Sequence, residues 1–288
     1  MRYAIITPAR DERENLGRLA GAIAAQQHRP AYWVVADDGS TDGTRELAEA
    51  LARDDATVIV APRPAATTGR LSDGRREARD LLAFRHGVRS LPEPVDVVVK
   101  VDADVSFEPD FFARLLARFD ADPLLAIAGG ACHELQDGEW QRRRVIPTAV
   151  WGATRAYRWE RLDTVMELEP FVGWDGIDEI KAHLAGYRTG TDVDLPFRHH
   201  RPEGDREAAR VHAHVLSGRA AWYMGYRPSY LVLRSVYRSR SDRAALGLIW
   251  GYAKGALARA PRCPEPAVRD ALRARQRLRV ALRSGAPE

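Results

Sequence analysis

The apolar run Val97–Val101 ends in two carboxylates one residue apart, Asp102 and Asp104, within VVVKVDADVSFEPDFF. Ionised carboxylates beside a core are costly unless they are paired, hydrogen-bonded or bound to a metal. At i and i+2 they can hold a divalent cation, and a cation held there can neutralise a diphosphate. Such triplets also occur in ordinary turns, so this pair points to that chemistry only in company.

Three further clusters supply the company. VVADDGSTDGT contributes Asp37 and Asp38. One carboxylate there can accept the N–H of a nucleobase and a second can hold a ribose hydroxyl, although the same residues cap turns. GWDGIDEIKAHLAGYRT, residues 173–189, sets Asp175 and Asp178 ahead of a helical stripe of Ile180, Leu184 and Tyr187. These acids read either as helix N-caps or as the source of a general base. DLPFRHHRP, residues 194–202, places His199 beside His200. An imidazole there can serve a metal or belong to an ordinary surface pair. Neither G-x-G-x-x-G nor G-x-x-x-x-G-K-[ST] occurs. A nucleotide bound by this chain therefore has its phosphates neutralised by metal and carboxylates, not by a glycine-rich backbone cradle.

These residues need elements to position them. Residues 3–7, 32–36, 57–61, 95–101 and 124–128 read as strands, the fourth apolar on both faces as a central strand is. Helices alternate with them. Leu16, Leu19 and Ile23 share one face, as do Leu47 and Leu51, then Leu81, Phe84 and Val88, then Phe111, Leu115 and Phe119. Residues 62–76 read as a loop. Strand–helix alternation predicts an α/β fold with a mostly parallel sheet. In such sheets ligands bind beyond the carboxyl ends of the strands, which is where both acid pairs fall. From residue 206 the pattern turns helical. Leu246, Ile249, Trp250, Ala253 and Leu257 form one apolar stripe, and 267–283 reads as an Arg-rich helix.

Composition narrows the classes. With 288 residues and 45% hydrophobic content, the chain can bury a sizeable core. Two distant cysteines, Cys132 and Cys263, give no disulfide framework and suit a reducing compartment. The N-terminus is charged too soon for a signal peptide, and no uncharged apolar run approaches the roughly 20 residues of a membrane span. Charge is uneven. Residues 201–288 carry a net +11 and residues 1–200 a net −7, within a total of +4. A basic C-terminal segment suggests an anionic partner or an Arg-rich solvated surface.

TPARDERENL, VVADDGSTDGT, VKVDADVSFEPDFF, GWDGIDEIKAHLAGYRT and HHRP, in this order, resemble an inverting family 2 glycosyltransferase of the GT-A fold. The resemblance covers residues 1–205. The remainder, with GYRPSYLVLRSVYR and GLIWGYAKGALARAPR, resembles bacterial members that build cell-surface polysaccharides. The implied fold is a Rossmann-like, mostly parallel sheet flanked by helices. The implied domains are a nucleotide-sugar-binding catalytic domain, 1–205, and a basic helical extension, 206–288.

The resemblance implies roles for particular residues. Thr7, Ala9, Arg10 and Glu12 border the nucleoside, and Asp38 with Asp37 holds the base. Asp102 and Asp104 are the Asp-x-Asp pair, with Asp104 the direct ligand of Mg²⁺ or Mn²⁺. Asp178 is the catalytic base. Of the histidines, His199 and His200 are both candidates, and Arg201 favours His200 as the metal contact. Trp174, Asp175 and Glu179 fall on the acceptor side. Two features depart from the family pattern. Ile177 precedes Asp178 where the family often has Glu, and His86 precedes Gly87 where many members have Asn.

The implied reaction is a single displacement. The sugar moves from a nucleotide-diphosphate sugar, UDP-linked by base rate, to a hydroxyl of a saccharide or polyprenyl-linked acceptor. The alternatives are a polyprenyl-phosphate glycosyltransferase and a non-catalytic nucleotide-sugar-binding scaffold. A nucleotidyltransferase normally carries a glycine-rich phosphate loop near its N-terminus, and TPARDEREN has no glycine. No nucleic-acid-binding module is recognisable. The expected location is cytoplasmic, with peripheral contact at the inner face of the cell membrane through the C-terminal helices.

Overall fold

The computed structural model describes residues 1–62, 78–200 and 207–277. The loop expected over 62–76 lies almost wholly outside these residues, as do Arg201 and the last part of the helix expected over 267–283. The chain divides into two compact units. One comprises residues 1–167 and 186–202, the other residues 168–185 and 203–288. Residues 168–185, which the sequence reading groups with the nucleotide-binding domain, thus belong to the helical unit.

The first unit is built on a sheet. β1 (Tyr3–Ala9), β2 (Tyr32–Asp37), β3 (Val58–Val60) and β4 (Val97–Val101) run parallel in the order β3-β2-β1-β4. Apolar residues on both faces of β4 are buried, as a central strand requires. Ala9 pairs with Asp37 and Ile6 with Lys100, so β1, β2 and β4 all end at one edge. Beyond β4 the sheet turns mixed. β8 (Thr154–Arg158) is antiparallel to β4 and to β6 (Leu125–Gln136). β9 (Arg188–His199) runs parallel to β6, and β5 (Val105–Phe107) runs antiparallel to β9. A two-residue Asp137-Gly138 turn, φ 52° and 84°, folds β7 (Glu139–Arg142) back on β6. Positive φ at both turn positions matches the twist of a hairpin and favours Asp-Gly.

Helices cover the sheet with the faces their spacing sets. In α1 (Arg13–Ala24), Leu16, Leu19 and Ile23 are buried. α2 (Thr44–Asp54) packs Leu47 and Leu51 against the core, α3 (Arg79–Arg89) buries Leu81 and Phe84, and α4 (Phe111–Ala121) buries Phe111, Leu115 and Phe119. A short α5 (Leu162–Met166) follows β8.

The second unit is helical: α6 (Trp174–Leu184), α7 (Glu207–Tyr223), α8 (Pro228–Ser239), α9 (Gly247–Leu257) and α10 (Pro266–Arg275). The ion pair Lys181–Glu265, 3.0 Å, joins α6 to the start of α10. α6 begins after Gly173, φ 89°, with no side-chain cap, so neither Asp175 nor Asp178 is an N-cap. Of its expected stripe, Ile180 is buried, Leu184 is exposed, and Tyr187 lies beyond the helix under the Arg161 guanidinium.

α7 and α9 meet through glycines. A Cβ on Gly251 would fall 2.0 Å from the Val215 carbonyl oxygen, and one on Gly218 would fall 2.2 Å from that of Leu248. This close approach decides which face of α9 packs. Leu248, Gly251 and Gly255 are buried, while Leu246, Trp250 and Leu257 are left exposed. Gly251→Ala is therefore expected to destabilise the helical unit by at least the ~1–3 kcal/mol of an overpacked core. Thermal melting reads this directly, and an unchanged midpoint would refute the close packing.

Candidate active site

The loop after β1 is stitched to the loop after β2. The amides of Asp11, Glu12 and Arg13 donate to Ser40 Oγ (3.0 Å), Thr44 Oγ1 (2.8 Å) and Asp42 Oδ2 (3.0 Å). Thr41 N donates back to Asp11 Oδ1 at 2.7 Å. Burial works to raise the Asp42 carboxyl, but hydrogen bonds from the Thr44 hydroxyl and from backbone amides outweigh it and hold the pKa below its usual value. Asp42 is thus turn chemistry.

Asp37 and Asp38 face different groups. The Asp37 side chain is fully buried; its Oδ1 accepts from Ser40 N at 3.0 Å, and Arg45 Nη1 lies 3.9 Å from Oδ2. Asp38 N donates to Ala9 O at 2.9 Å, which pins it beside the end of β1. Its Oδ2 faces two guanidinium groups, Arg79 Nη1 at 3.5 Å and Arg10 Nη1 at 3.6 Å. Among the described residues, Nε and Nη1 of Arg10 are buried with no acceptor at hydrogen-bond distance. Thr7 is buried, and its hydroxyl accepts from Trp33 Nε1 at 3.0 Å. The Glu12 carboxylate accepts from Asn15 Nδ2 at 2.7 Å.

At the end of β4, Lys100 is 1% exposed. Its ammonium donates to Asp102 Oδ1 (2.5 Å) and Gly152 O (3.1 Å), with Asp80 Oδ2 at 3.6 Å. Burial pushes the Asp102 carboxyl up; Lys100 opposes this, while Asp104 and Asp80 add to it. The net shift is upward.

Asp104 is nearly buried, and its carbonyl accepts from His200 N at 2.8 Å. The imidazole facing its carboxylate is that of His199, with Nε2 3.5 Å from Asp104 Oδ1. His200, the histidine favoured from sequence, turns its Nε2 to Ser106 Oγ (2.7 Å) and lies edge-on to Trp140. The physical reason is strand alternation. Consecutive residues on an extended strand point to opposite sides, and Val105 pairs with His199. Burial works against protonating His199, but Asp104 and Glu134 outweigh it and raise its pKa. His200 goes the other way, lowered first by burial and then by Arg18. His199 Nδ1 lies 3.4 Å from Glu134 Oε1, whose other oxygen is 3.3 Å from Arg143 Nη1.

The first unit thus brings Arg10, Asp37, Asp38, Asp102 and Asp104 to the carboxyl edge of its parallel strands, with His199 on Asp104. Arg79, Lys100, Cys132 and Glu134 also lie near these groups, although sequence reasoning passed over them. A lysine inside VVVKV, where every neighbour is apolar, was the available signal. The remaining candidates lie in the second unit. Asp178 is 0% exposed and accepts from Glu179 N at 2.6 Å. Trp174 is buried, and Asp175 and Glu179 are half-buried.

An α/β unit with a mixed sheet flanked by helices and paired acids at the carboxyl edge has the architecture of the GT-A fold. Residues 4–172 match Glycosyl transferase family 2, and the chain belongs to that family. A polyprenol monophosphomannose synthase of Mycolicibacterium smegmatis is 32% identical over 192 residues, 65% of this chain and 62% of that protein. The chain therefore aligns with under two thirds of that relative. Among solved structures, a Pyrobaculum calidifontis mannosyltransferase in complex with GDP-Man and Mn²⁺ superposes with a TM-score of 0.57. It shares 18% identity, over 98% of this chain and 80% of its own. S. aureus TarS 1-349 in complex with UDP-GlcNAc superposes at 0.53, with 14% identity over 99% and 93% of the two chains. No helix among the described residues is long and apolar enough to cross a membrane.

Proposed function

We propose that this glycosyltransferase moves a sugar from a nucleoside diphosphate sugar to a polyprenyl phosphate, with inversion and with a divalent cation at the donor diphosphate. The carrying observation is the Asp104–His199 pair at 3.5 Å beside Asp102 on the carboxyl edge. Carboxylate oxygens with one imidazole suit Mn²⁺ or Mg²⁺, so the donor set fits the group. Asp104 and His199 would hold the cation, which supplies charge neutralisation for the departing diphosphate. Asp102, tied to Lys100, lines the same edge. Arg10, its guanidinium 3.6 Å from Asp38, faces the nucleotide together with Asp37, Asp38, Thr7, Ala9 and Glu12.

The name of the Mycolicibacterium smegmatis relative supports a lipid phosphate as acceptor and mannose as the first sugar to test. The helical unit supports the same choice. Val232, Val236 and Tyr237 are exposed along α8, and Trp250 and Leu257 along α9. Arg240 lies over the Tyr237 ring and Lys254 over that of Trp250, at 5.6 and 5.2 Å. Apolar stripes bearing cations on their aromatic rings suit an anionic lipid interface without spanning it.

A phosphate acceptor is already ionised near neutral pH and attacks without a base. A second reading, transfer to a saccharide hydroxyl, rests on Asp178, a buried carboxylate on α6 that would serve as base, with Trp174, Asp175 and Glu179 on the acceptor side.

One assay tests both readings. Labelled nucleoside diphosphate mannose is incubated with the full chain, Mn²⁺ and polyprenyl phosphate in anionic vesicles. Lipid-extractable label, abolished by EDTA, is expected. Asp178→Asn should retain lipid transfer within about tenfold, whereas loss of a required base costs about 10²–10⁴-fold. Label reaching only a saccharide acceptor would select the second reading. Trp250→Glu should reduce co-flotation with the vesicles.

A further inference from the structure

We infer that Cys132, Glu134 and His199 form a second cation site, selective for a thiophilic divalent ion such as Zn²⁺, which competes with the donor-site cation for the His199 imidazole. The site is written into the β6–β9 register. Glu134 pairs with His199, and Cys132, two residues earlier, pairs with Phe197. Residues two apart on a strand share a face, so the thiol, the carboxylate and the imidazole are delivered to one patch. Their ligand atoms all lie within 4.8 Å of one another. Tetrahedral Zn²⁺ with bonds of about 2.0–2.3 Å brings ligand atoms to about 3.3–3.8 Å, a contraction of roughly 1 Å. Cys132 and Glu134 are each 2% exposed and His199 is 8% exposed, so three ligand groups are held together away from bulk water. Arg143 engages Glu134 Oε2, while Oε1 faces His199 Nδ1 at 3.4 Å. Thiolate with imidazole favours Zn²⁺ over Mg²⁺ or Mn²⁺, the reverse of the preference at Asp104.

The antagonism follows from lone pairs. A neutral imidazole has one. A cation on Nδ1 leaves the proton on Nε2, and Nε2–H then donates to Asp104 instead of binding a metal. Conversely, Nδ1–H donated to Glu134 frees Nε2 for the donor-site cation. A soft and a hard cation therefore exclude each other through one ring. This competition, though not the site itself, rests on the donor-site reading above.

The test uses metal-free full chain titrated with Co²⁺ as the spectroscopic stand-in for Zn²⁺. A thiolate-to-Co²⁺ charge-transfer band at one equivalent, removed by Zn²⁺, is expected in the wild type, in Asp104→Ala and in Cys263→Ser. It should vanish in Cys132→Ser and in Cys132→Ala, two variants of different polarity in case one fails to fold. Absence of the band in the wild type, or its survival in both Cys132 variants, overturns the proposal. Stoichiometric Zn²⁺ should weaken Mn²⁺ binding, read by EPR, by at least about tenfold in the wild type and not in Cys132→Ala. Zn²⁺-insensitive Mn²⁺ affinity overturns the competition. Failure of Mn²⁺ to bind the wild type at all would count against the donor site, and the Co²⁺ band would still decide this one.

Discussion

Asp104→Ala is expected to remove cation-dependent nucleotide binding and, with it, sugar transfer. The side chain makes a 3.5 Å contact with His199, and the bond from His200 N goes to the Asp104 carbonyl, which alanine keeps. The fold should therefore tolerate the change. The loss in cation affinity should exceed ~100-fold, because residues that merely orient a metal ligand are already worth about 10–100-fold. Thermal stabilisation by a nucleoside diphosphate with Mn²⁺ makes the size visible. Ligand at 100 times its Kd stabilises by about 2.7 kcal/mol, and a 100-fold weaker Kd at the same concentration leaves about 0.4 kcal/mol. At about 2–4 °C per kcal/mol, a shift of roughly 5–10 °C shrinks to about 1 °C. A variant that keeps the wild-type shift, and its sensitivity to EDTA, would place the cation elsewhere.

The strand-end position of Asp104 was legible in sequence because its neighbourhood is local. A strand, an acid, a spacer and an acid occupy consecutive positions, and periodicity alone puts them at a strand end. The same holds for Asp37 and Asp38 after β2, and for Leu16, Leu19 and Ile23 on α1, whose spacing fixes the buried face. What lay beyond reach is set by pairing between distant segments. Glu134 meets His199 across 65 positions through the β6–β9 register, which no periodicity encodes. β5 has three residues and β9 mixes Thr, Asp, Pro and Arg, so neither gives a strand pattern. The choice of His199 over His200 hangs on the β5–β9 pairing of Val105 with His199, because a shift of one residue reverses which imidazole faces Asp104. In α9 the apolar stripe was legible but its destination was not. Close approach at Gly251 and Gly218 turns the small-residue face inward and leaves Trp250 and Leu257 outside.

The second large effect is expected in stability, with no ligand present, at a pair of which sequence reading named only the carboxylate. Asp102→Ala deletes the carboxylate 2.5 Å from the ammonium of Lys100, a side chain with almost no exposure. Removing one partner of a buried pair costs about 3–5 kcal/mol, because a charge is left without compensation. Two features reduce that here: the Asp102 side chain is 34% exposed, and Asp80 and the Gly152 carbonyl still face the ammonium. About 2–3 kcal/mol is therefore expected, a fall in melting temperature of roughly 5–10 °C. Lys100→Met should do less harm. It leaves carboxylates that reach solvent, Asp102 at 34% and Asp80 at 43% exposure, so neither charge is stranded. In the Lys100→Met/Asp102→Ala double variant no ammonium is stranded, so stability should recover above that of Asp102→Ala. Additive losses in the double variant would show that the two groups are not coupled. Recovery of stability without recovery of nucleotide binding would show what the pair is for. Lys100 anchors a carboxylate at the strand end, beside Asp104, where an unpaired acid would turn away or protonate.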